Sequence, residues 1–380
     1  MRKFRVLGVL LMLVLMLSAC RRDGDRVDAP LATGPTAFGL APKPAWETLR
    51  LGFFAGTPLS IPFYIAYREG FFRELNINIE FSTFTNGPAM VEANAVWDMA
   101  SLGPGGTLVG MMGHDLNVVA IADYERHISL FARPGSALAL DKDNPNVWRG
   151  THWVYPMGTT AQLVLAANLS RLGLSLMDIN STSMDVVSAL TAFHVGGHGD
   201  GLSVWAVQAF TAKEWGYVLL ESPESLALTI PAATLAHPHF IRDRLDLAAY
   251  AYIVFYKTWE WANRSPENFE RAIRYFYESS AEEGMIIDWN IARQVMEFFN
   301  APFFAESVDI MTRLGPDPTG LYTSRLLSQA ERDILVPFDF FIAEHMYRPE
   351  DRVRMLDRRL VDDRVALRAQ EILTEQGISF

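Results

Sequence analysis

The chain has 380 residues, half of them hydrophobic and a fifth charged, with 33 basic against 44 acidic side chains and a net charge of −11. Such a composition buries a core and excludes a disordered chain. The acidic balance excludes a nucleic-acid binder, which needs a basic footprint, and excludes electrostatic docking on anionic lipid. Cys20 is the one cysteine, so no intramolecular disulfide can form.

The chain opens with Arg2, Lys3 and Arg5, then the apolar run from Val6 to Leu17, then Ser18-Ala19-Cys20. A positive start, a short apolar run and small residues before a cleavage point form a secretory leader. The run falls short of the roughly 20 residues a spanning helix takes. Leu17-Ser18-Ala19-Cys20 resembles a bacterial lipobox. Residues 1–19 are therefore expected to leave as a signal peptide, with Cys20 carrying lipid such as palmitate and anchoring the chain outside the cytoplasm. Loss of the three leader cations takes the net charge from −11 to −14. Arg21 to Glu47 holds four prolines and three glycines with little apolar periodicity, and reads as a flexible tether.

Folded structure is expected from Thr48. Leu49 to Phe54 reads as a buried strand, and Ser60 to Leu75 as a helix. Ile77, Ile79 and Phe81 alternate with polar residues, the period-2 mark of a strand. A helix over Ala89 to Val96 follows, then a short strand Met99 to Leu102, a helix through Met112, and a strand Val118 to Ala122. The pattern repeats with a strand at Trp153 to Tyr155 and a helix at Thr160 to Leu172. A helix at Asp185 to Phe193 and strands at Leu202 to Trp205 and Val218 to Leu220 complete it. Beyond Pro238 the chain reads as nearly all helical. Ser265-Pro266-Glu267 marks one helix start, and Ser328 with Glu331 fits a capping box. Strands alternating with helices imply an α/β fold with mostly parallel sheets.

Several segments in order resemble one family. These are Leu51 to Phe54, Thr57-Pro58, Tyr64-Ile65-Ala66 and Glu69-Gly70-Phe71-Phe72, then Asn86-Gly87-Pro88-Ala89-Met90 and Asp98-Met99-Ala100 with Gly103. Gly158-Thr159-Thr160, Leu172-Gly173-Leu174 and Gly199-Asp200 with Trp205 continue the series. Together they are similar to periplasmic solute-binding proteins serving importers of nitrate, aliphatic sulfonates, taurine and pyrimidine precursors. Trp205-Ala206 departs from the family, which often has tryptophan, an acid and proline there. The resemblance implies a two-lobed type II periplasmic binding fold with two hinge crossings and a helical C-terminal extension. Lobe one would be 48–127 plus 225–380, lobe two 128–224, and 20–47 the lipid anchor and tether. It implies a monomer that delivers a small solute to a permease with its ATPases.

In open α/β sheets, ligands sit beyond the carboxyl ends of strands. Five segments qualify: 56–59, 86–89, 103–107, 157–161 and 200–205. Candidate ligand-binding residues are Thr57, Pro58, Asn86, Gly87, Gly103, Pro104, Gly105, Glu125, Gly158, Thr159, Thr160, Asp200 and Trp205. Helix beginnings offer unpaired N–H groups to an anion, and Gly158-Thr159-Thr160 adds two hydroxyls. None of the five segments holds lysine or arginine, and Arg126 is the nearest cation. This points to a small monoanion such as nitrate or a sulfonate. Asp123, Tyr124, Glu125, Asp200 and Trp205 support an alternative, an amine or nitrogen heterocycle. His194 with His198, and His237 with His239, carry metal-like spacings, but Gly196 and Gly197 break a helix between the first pair. No cofactor or metal is expected. A cofactor-synthesis enzyme on the same scaffold is the alternative of another class; no nucleophilic triad or phosphate loop supports it.

Overall fold

A computed structural model describes residues 30–54, 56–317 and 325–379. The leader, Cys20 and the beginning of the expected tether lie outside these residues. The first sheet contains β1 (Glu47–Phe54), β2 (Ile77–Phe84), β3 (Met99–Leu102) and β4 (Asn117–Tyr124). The second contains β5 (Ile128–Ala132), β6 (His152–Tyr155), β7 (Asn180–Ser183), β8 (Gly201–Trp205) and β9 (Val218–Glu221). The chain then returns to the first sheet as β10 (Pro231–Ala236). Strand orders are β2-β1-β3-β10-β4 and β7-β6-β8-β5-β9. The expected parallel pairing holds for β1 with β2 and β3, and for β6 with β7 and β8. The strand arriving from each crossing runs against its neighbours, β10 against β3 and β4, β5 against β8 and β9. A chain that enters a sheet from the cleft side runs opposite to strands that end there.

The two crossings touch. Glu125 N–H, between β4 and β5, donates to Ile230 O, just before β10, at 2.9 Å. The first sheet is covered by the 19-residue helix Leu245–Asn263, packed on Ile61–Glu69 and Arg364–Glu375. Its buried Tyr256 donates to Ile121 O at 2.8 Å and fastens the helix to β4. The expected helical region beyond Pro238 is found among the described residues, with the Ser265 cap and the Ser328–Glu331 capping box.

Two expectations change in detail. The helix from Ser60 breaks at Gly70, whose φ of 82° sits where glycine has no steric penalty. It resumes as Phe71–Glu74. The tether is docked over its described part. Ala32 N–H donates to Asn76 Oδ1 at 2.7 Å, Asn76 Nδ2 donates to Lys43 O at 2.7 Å, and Leu40 is buried. Burial of Leu40 and the edge-to-face Phe38–Phe71 pair outweigh the freedom that four prolines and three glycines leave the segment. The two histidine pairs have other partners. The helix ends at His194, which bonds Tyr217 Oη at 2.9 Å, and His237 Nε2 meets Asn94 O at 2.8 Å. Among the described residues no helix is long and apolar enough to cross a membrane.

Candidate functional site

Strand-to-helix turns from both sheets converge beside the crossings. After β1, Thr57 is buried and its hydroxyl donates to Phe54 O at 3.1 Å. After β2, Asn86 caps Gly87–Glu92 by accepting from Ala89 N–H at 2.8 Å. After β3, Gly103 and Pro104 open the helix Pro104–His114, which has no side-chain cap. After β6, Gly158 (φ 72°) turns the chain into Thr160–Arg171. Thr159 caps that helix, donating to Pro156 O at 2.6 Å and accepting from Ala161 N–H at 3.3 Å. Gly158 N–H is not free for a ligand, because Gln162 Oε1 accepts it at 2.8 Å. After β8, Ala206 adopts φ 46°, a left-handed conformation costly for a residue with a Cβ. Its N–H donates to His127 O at 3.0 Å.

Between these turns lies a cavity of about 30 Å³. Phe54, Thr57, Leu59, Gly87, Pro88, Gly103, Gly105 and Gly106 line it from the first sheet's turns. Thr159, Thr160 and Trp205 line it from the second, and Glu125 from the crossing. The two halves meet through glycine. A Cβ on Gly105 would lie 2.0 Å from Gly158 O, so only a bare backbone allows this approach. A Cβ on Gly103 would lie 3.1 Å from Glu125 Oε2 and 3.2 Å from Thr160 Oγ1.

Glu125 is the chemical centre. It is 4 % exposed, and its Oε2 has no protein hydrogen-bond partner. Asp123, Glu125 and His127 occur at every second position of an extended crossing, so they share a face. His127 Nε2 lies 3.5 Å from Asp123 Oδ2, and neither ring nitrogen makes a hydrogen bond. Asp123 Oδ1 accepts from Asn300 N–H at 2.7 Å. Burial pushes the Glu125 carboxyl up to about 7; His127 and Thr160 pull it back and Asp123 adds to the rise. Burial pushes His127 down, but the Asp123 and Glu125 carboxylates outweigh it and hold the imidazole above its ordinary value. Buried polar groups without partners are rare in native proteins, and each calls for an explanation.

Of the expected residues, Thr57, Gly87, Gly103, Gly105, Glu125, Thr159, Thr160 and Trp205 meet at this cavity. Pro58, Asn86, Pro104 and Gly158 stand in the same turns without lining it. Asp200, expected at the cleft, stands instead before the first residue of β8, five residues from Trp205, and accepts from His152 N–H at 2.8 Å. At about 3.3 Å per residue that is the far end of the strand. Tyr124 turns away and donates to Asp333 Oδ2 at 2.7 Å, and Arg126 points to Phe298 O at 3.4 Å. The lining holds neither lysine nor arginine. Among the described residues no group of three or more His, Cys, Asp and Glu side chains is placed to hold a metal ion. Sequence reading placed Leu59, Pro88 and Gly106 within the cleft segments without singling them out, and missed Phe54 as a lining residue and His127 as Glu125's neighbour. The alternation of Asp123, Glu125 and His127 was the available signal.

Two five-stranded α/β sheets joined by two touching crossings, with turns facing across a cavity, define the two-lobed periplasmic binding fold. Solved structures share it. The alkanesulfonate-binding protein of Xanthomonas axonopodis pv. citri, bound to MOPS, aligns with a TM-score of 0.62 at 17% identity, over 86% of this chain and 98% of that one. The periplasmic nitrate-binding protein of Synechocystis PCC 6803 aligns with a TM-score of 0.59 at 13% identity, over 88% and 91%. The aliphatic sulphonate binding protein of Escherichia coli aligns with a TM-score of 0.57 at 19% identity, over 67% and 80%. By sequence, a Brucella abortus protein whose name gives it only as a candidate binding protein is 24% identical over 228 residues, 58% of this chain and 68% of its own length. No family model matches the chain.

Proposed function

We propose that this chain is the solute-binding component of an ABC import system, lipid-anchored outside the cytoplasm through Cys20. Its lobes, 48–127 with 225–380 and 128–224, close as hinged bodies on a small solute. The closed form hands that solute to a permease with cytoplasmic ATPases, without covalent chemistry. The membership of the strands in two sheets supports the lobe assignment, and the named functions of the structural neighbours support the class. Because one fold hosts many functions, the site carries the ligand reading.

The single observation that carries it is Glu125, a buried carboxylate that lines the cavity and whose Oε2 has no protein hydrogen-bond partner. The ligand this site suits best is an amine or a nitrogen heterocycle that donates N–H to Glu125 and lies against Trp205. A nitrate- or sulfonate-like monoanion is the second reading. It is favoured by the raised Glu125 pKa, because a protonated carboxyl could donate to an anion at pH 6.

Thermal melting and calorimetry of the full chain with cytosine, imidazole, ethanolamine, taurine, ethanesulfonate and nitrate test this. A solute at a hundred times its Kd raises stability by about 2.7 kcal/mol. The amine or heterocycle reading expects tighter binding as pH rises from 6 to 8, and the anion reading expects the reverse. A panel that moves neither melting nor heat overturns the ligand assignment.

A further inference from the structure

Met285 lies in the turn between the helices Pro266–Glu282 and Trp289–Phe298, outside every strand-to-helix turn that forms the cleft. It nevertheless touches both halves. On the first sheet's side, a Cβ on Gly56 would lie 2.6 Å from Met285 Cε and 2.7 Å from its Sδ. The methionine therefore fills the volume a side chain at 56 would take. On the second sheet's side, Gln208 Nε2 donates to Met285 Sδ at 3.8 Å. Gln208 is 4 % exposed, and a thioether is a weak acceptor. A buried amide is thus spent on a poor partner. Gly56 stands between Phe54 and Thr57, and Gln208 stands one turn after Trp205. Phe54, Thr57 and Trp205 all line the cavity, and the Phe54 and Trp205 rings meet edge to face at 6.3 Å.

We propose that Met285 is a specificity-determining residue of the cleft, a movable plug that sets the largest solute accepted, with Gln208 as the polar contact it masks. The proposal rests on the solute-binding reading. A cavity of about 30 Å³ holds about two water molecules, so a ring-sized solute needs further volume. That volume comes from the lobes parting or from a side chain packed behind the lining residues moving away, and Met285 stands behind them rather than among them. Met285 belongs to neither sheet's turns, so its departure moves no strand-to-helix turn and gives up only its packing on Gly56 and the weak bond from Gln208. Its unbranched side chain, with three rotatable bonds, repacks at low cost. Once it has swung away, the Gln208 amide can turn to a stronger acceptor on a longer solute.

Two measurements on the full chain test this. The first is acrylamide quenching of tryptophan fluorescence in wild type, Met285→Ala and Met285→Leu, each with and without Trp205→Phe. Met285→Ala is expected to raise the Trp205 contribution about twofold, and Met285→Leu to leave it unchanged. An unchanged Trp205 contribution in Met285→Ala overturns the plug, whatever the solute. The second is titration with cytosine and 5-ethylcytosine. Met285→Ala is expected to tighten the larger probe about tenfold relative to the smaller, and Gln208→Leu in that background to remove the gain. Equal effects on both probes mean that Met285 only packs against Gly56, and overturn its role in specificity. If neither probe binds any variant, the heterocycle reading fails, and the quenching result alone decides for or against the plug.

Discussion

Glu125 and Glu221 are each 4 % exposed, and each stands where the chain leaves one sheet for the other. Their surroundings are opposite. Glu221 Oε1 takes Lys142 Nζ at 2.8 Å and Arg171 Nη2 at 3.3 Å, and its Oε2 accepts from Ser225 Oγ at 2.5 Å. Glu125 faces a cavity, and its Oε2 has no protein donor. A buried carboxylate with its partners supplied contributes to stability. One left without them costs stability, and a fold keeps such a group where something outside the chain completes it. On the proposed function, the second crossing serves as a joint and the first as a site.

The largest way to break this comparison is pH. The ordinary Glu value is 4.5, and Glu125 in the fold stands at about 7. The fold therefore prefers the neutral acid. Its contribution is complete below pH 4.5 and is lost as pH rises through about 7. His127 is held above its ordinary 6.5, so its contribution is likewise complete below that value and lost as pH rises through the folded one. Both slopes have the same sign. Stability in urea should fall between pH 5 and 8, with Glu125 accounting for about 3 kcal/mol at most, taking about 1.4 kcal/mol per unit. Glu125→Gln should flatten that fall and also abolish solute binding. A flat wild-type curve would show that Glu125 is solvated, and the contrast with Glu221 would disappear.

Next in size is Glu221→Gln. It strips charge from a carboxylate with three donors and should cost about 2 kcal/mol, read as a lower urea midpoint at unchanged slope. Solute affinity should stay within twofold. A drop in affinity without a drop in stability would move the site to the second crossing.

Gly105→Ala sharpens the comparison from the other side. The added Cβ would lie 2.0 Å from a backbone carbonyl oxygen, which cannot rotate out of its way. The lobes should then stop short of their present contact, weakening solute binding about tenfold with little change in unfolding. Small-angle scattering should show a larger radius of gyration for the variant. Equal radii and equal affinity would mean that the turns carrying Gly105 and Gly158 are not the closing surface.

The elements legible in the sequence are those whose local pattern and burial agree. β2 alternates, β4 is a continuous apolar run, and the caps at Ser265 and Ser328 stand where they were read. β10 was invisible because Pro231-Ala232-Ala233-Thr234-Leu235-Ala236 is poor in strand-forming residues. It is a strand because β3 and β4 pair with it on both sides and bury it completely. β7, Asn180-Ser181-Thr182-Ser183, is polar and mostly exposed at a sheet edge, so no apolar period marks it. The cleft turns were legible because small residues follow strand ends. Asp200 was misplaced because it was grouped with Trp205 by closeness in sequence, which a strand converts into distance. Met285 carried no signal, since its position depends on how a distant helical turn packs.

The smallest effect separates redundancy from a single contact. Lys142→Ala removes one of three donors to Glu221 and leaves Arg171 and Ser225 in place. The Lys142 side chain is 41 % exposed, so water already weakens the pair and salt screens it. The expected cost is about 0.5 kcal/mol in low salt, falling further in 1 M sodium chloride. A loss as large as that of Glu221→Gln would mean that the carboxylate depends on one ion pair. Glu221 would then be nearly as poorly satisfied as Glu125, and incomplete pairing could no longer tell a site from a joint in this chain. A small loss keeps the distinction, because Glu221 tolerates losing a partner and Glu125 has none at Oε2 to lose.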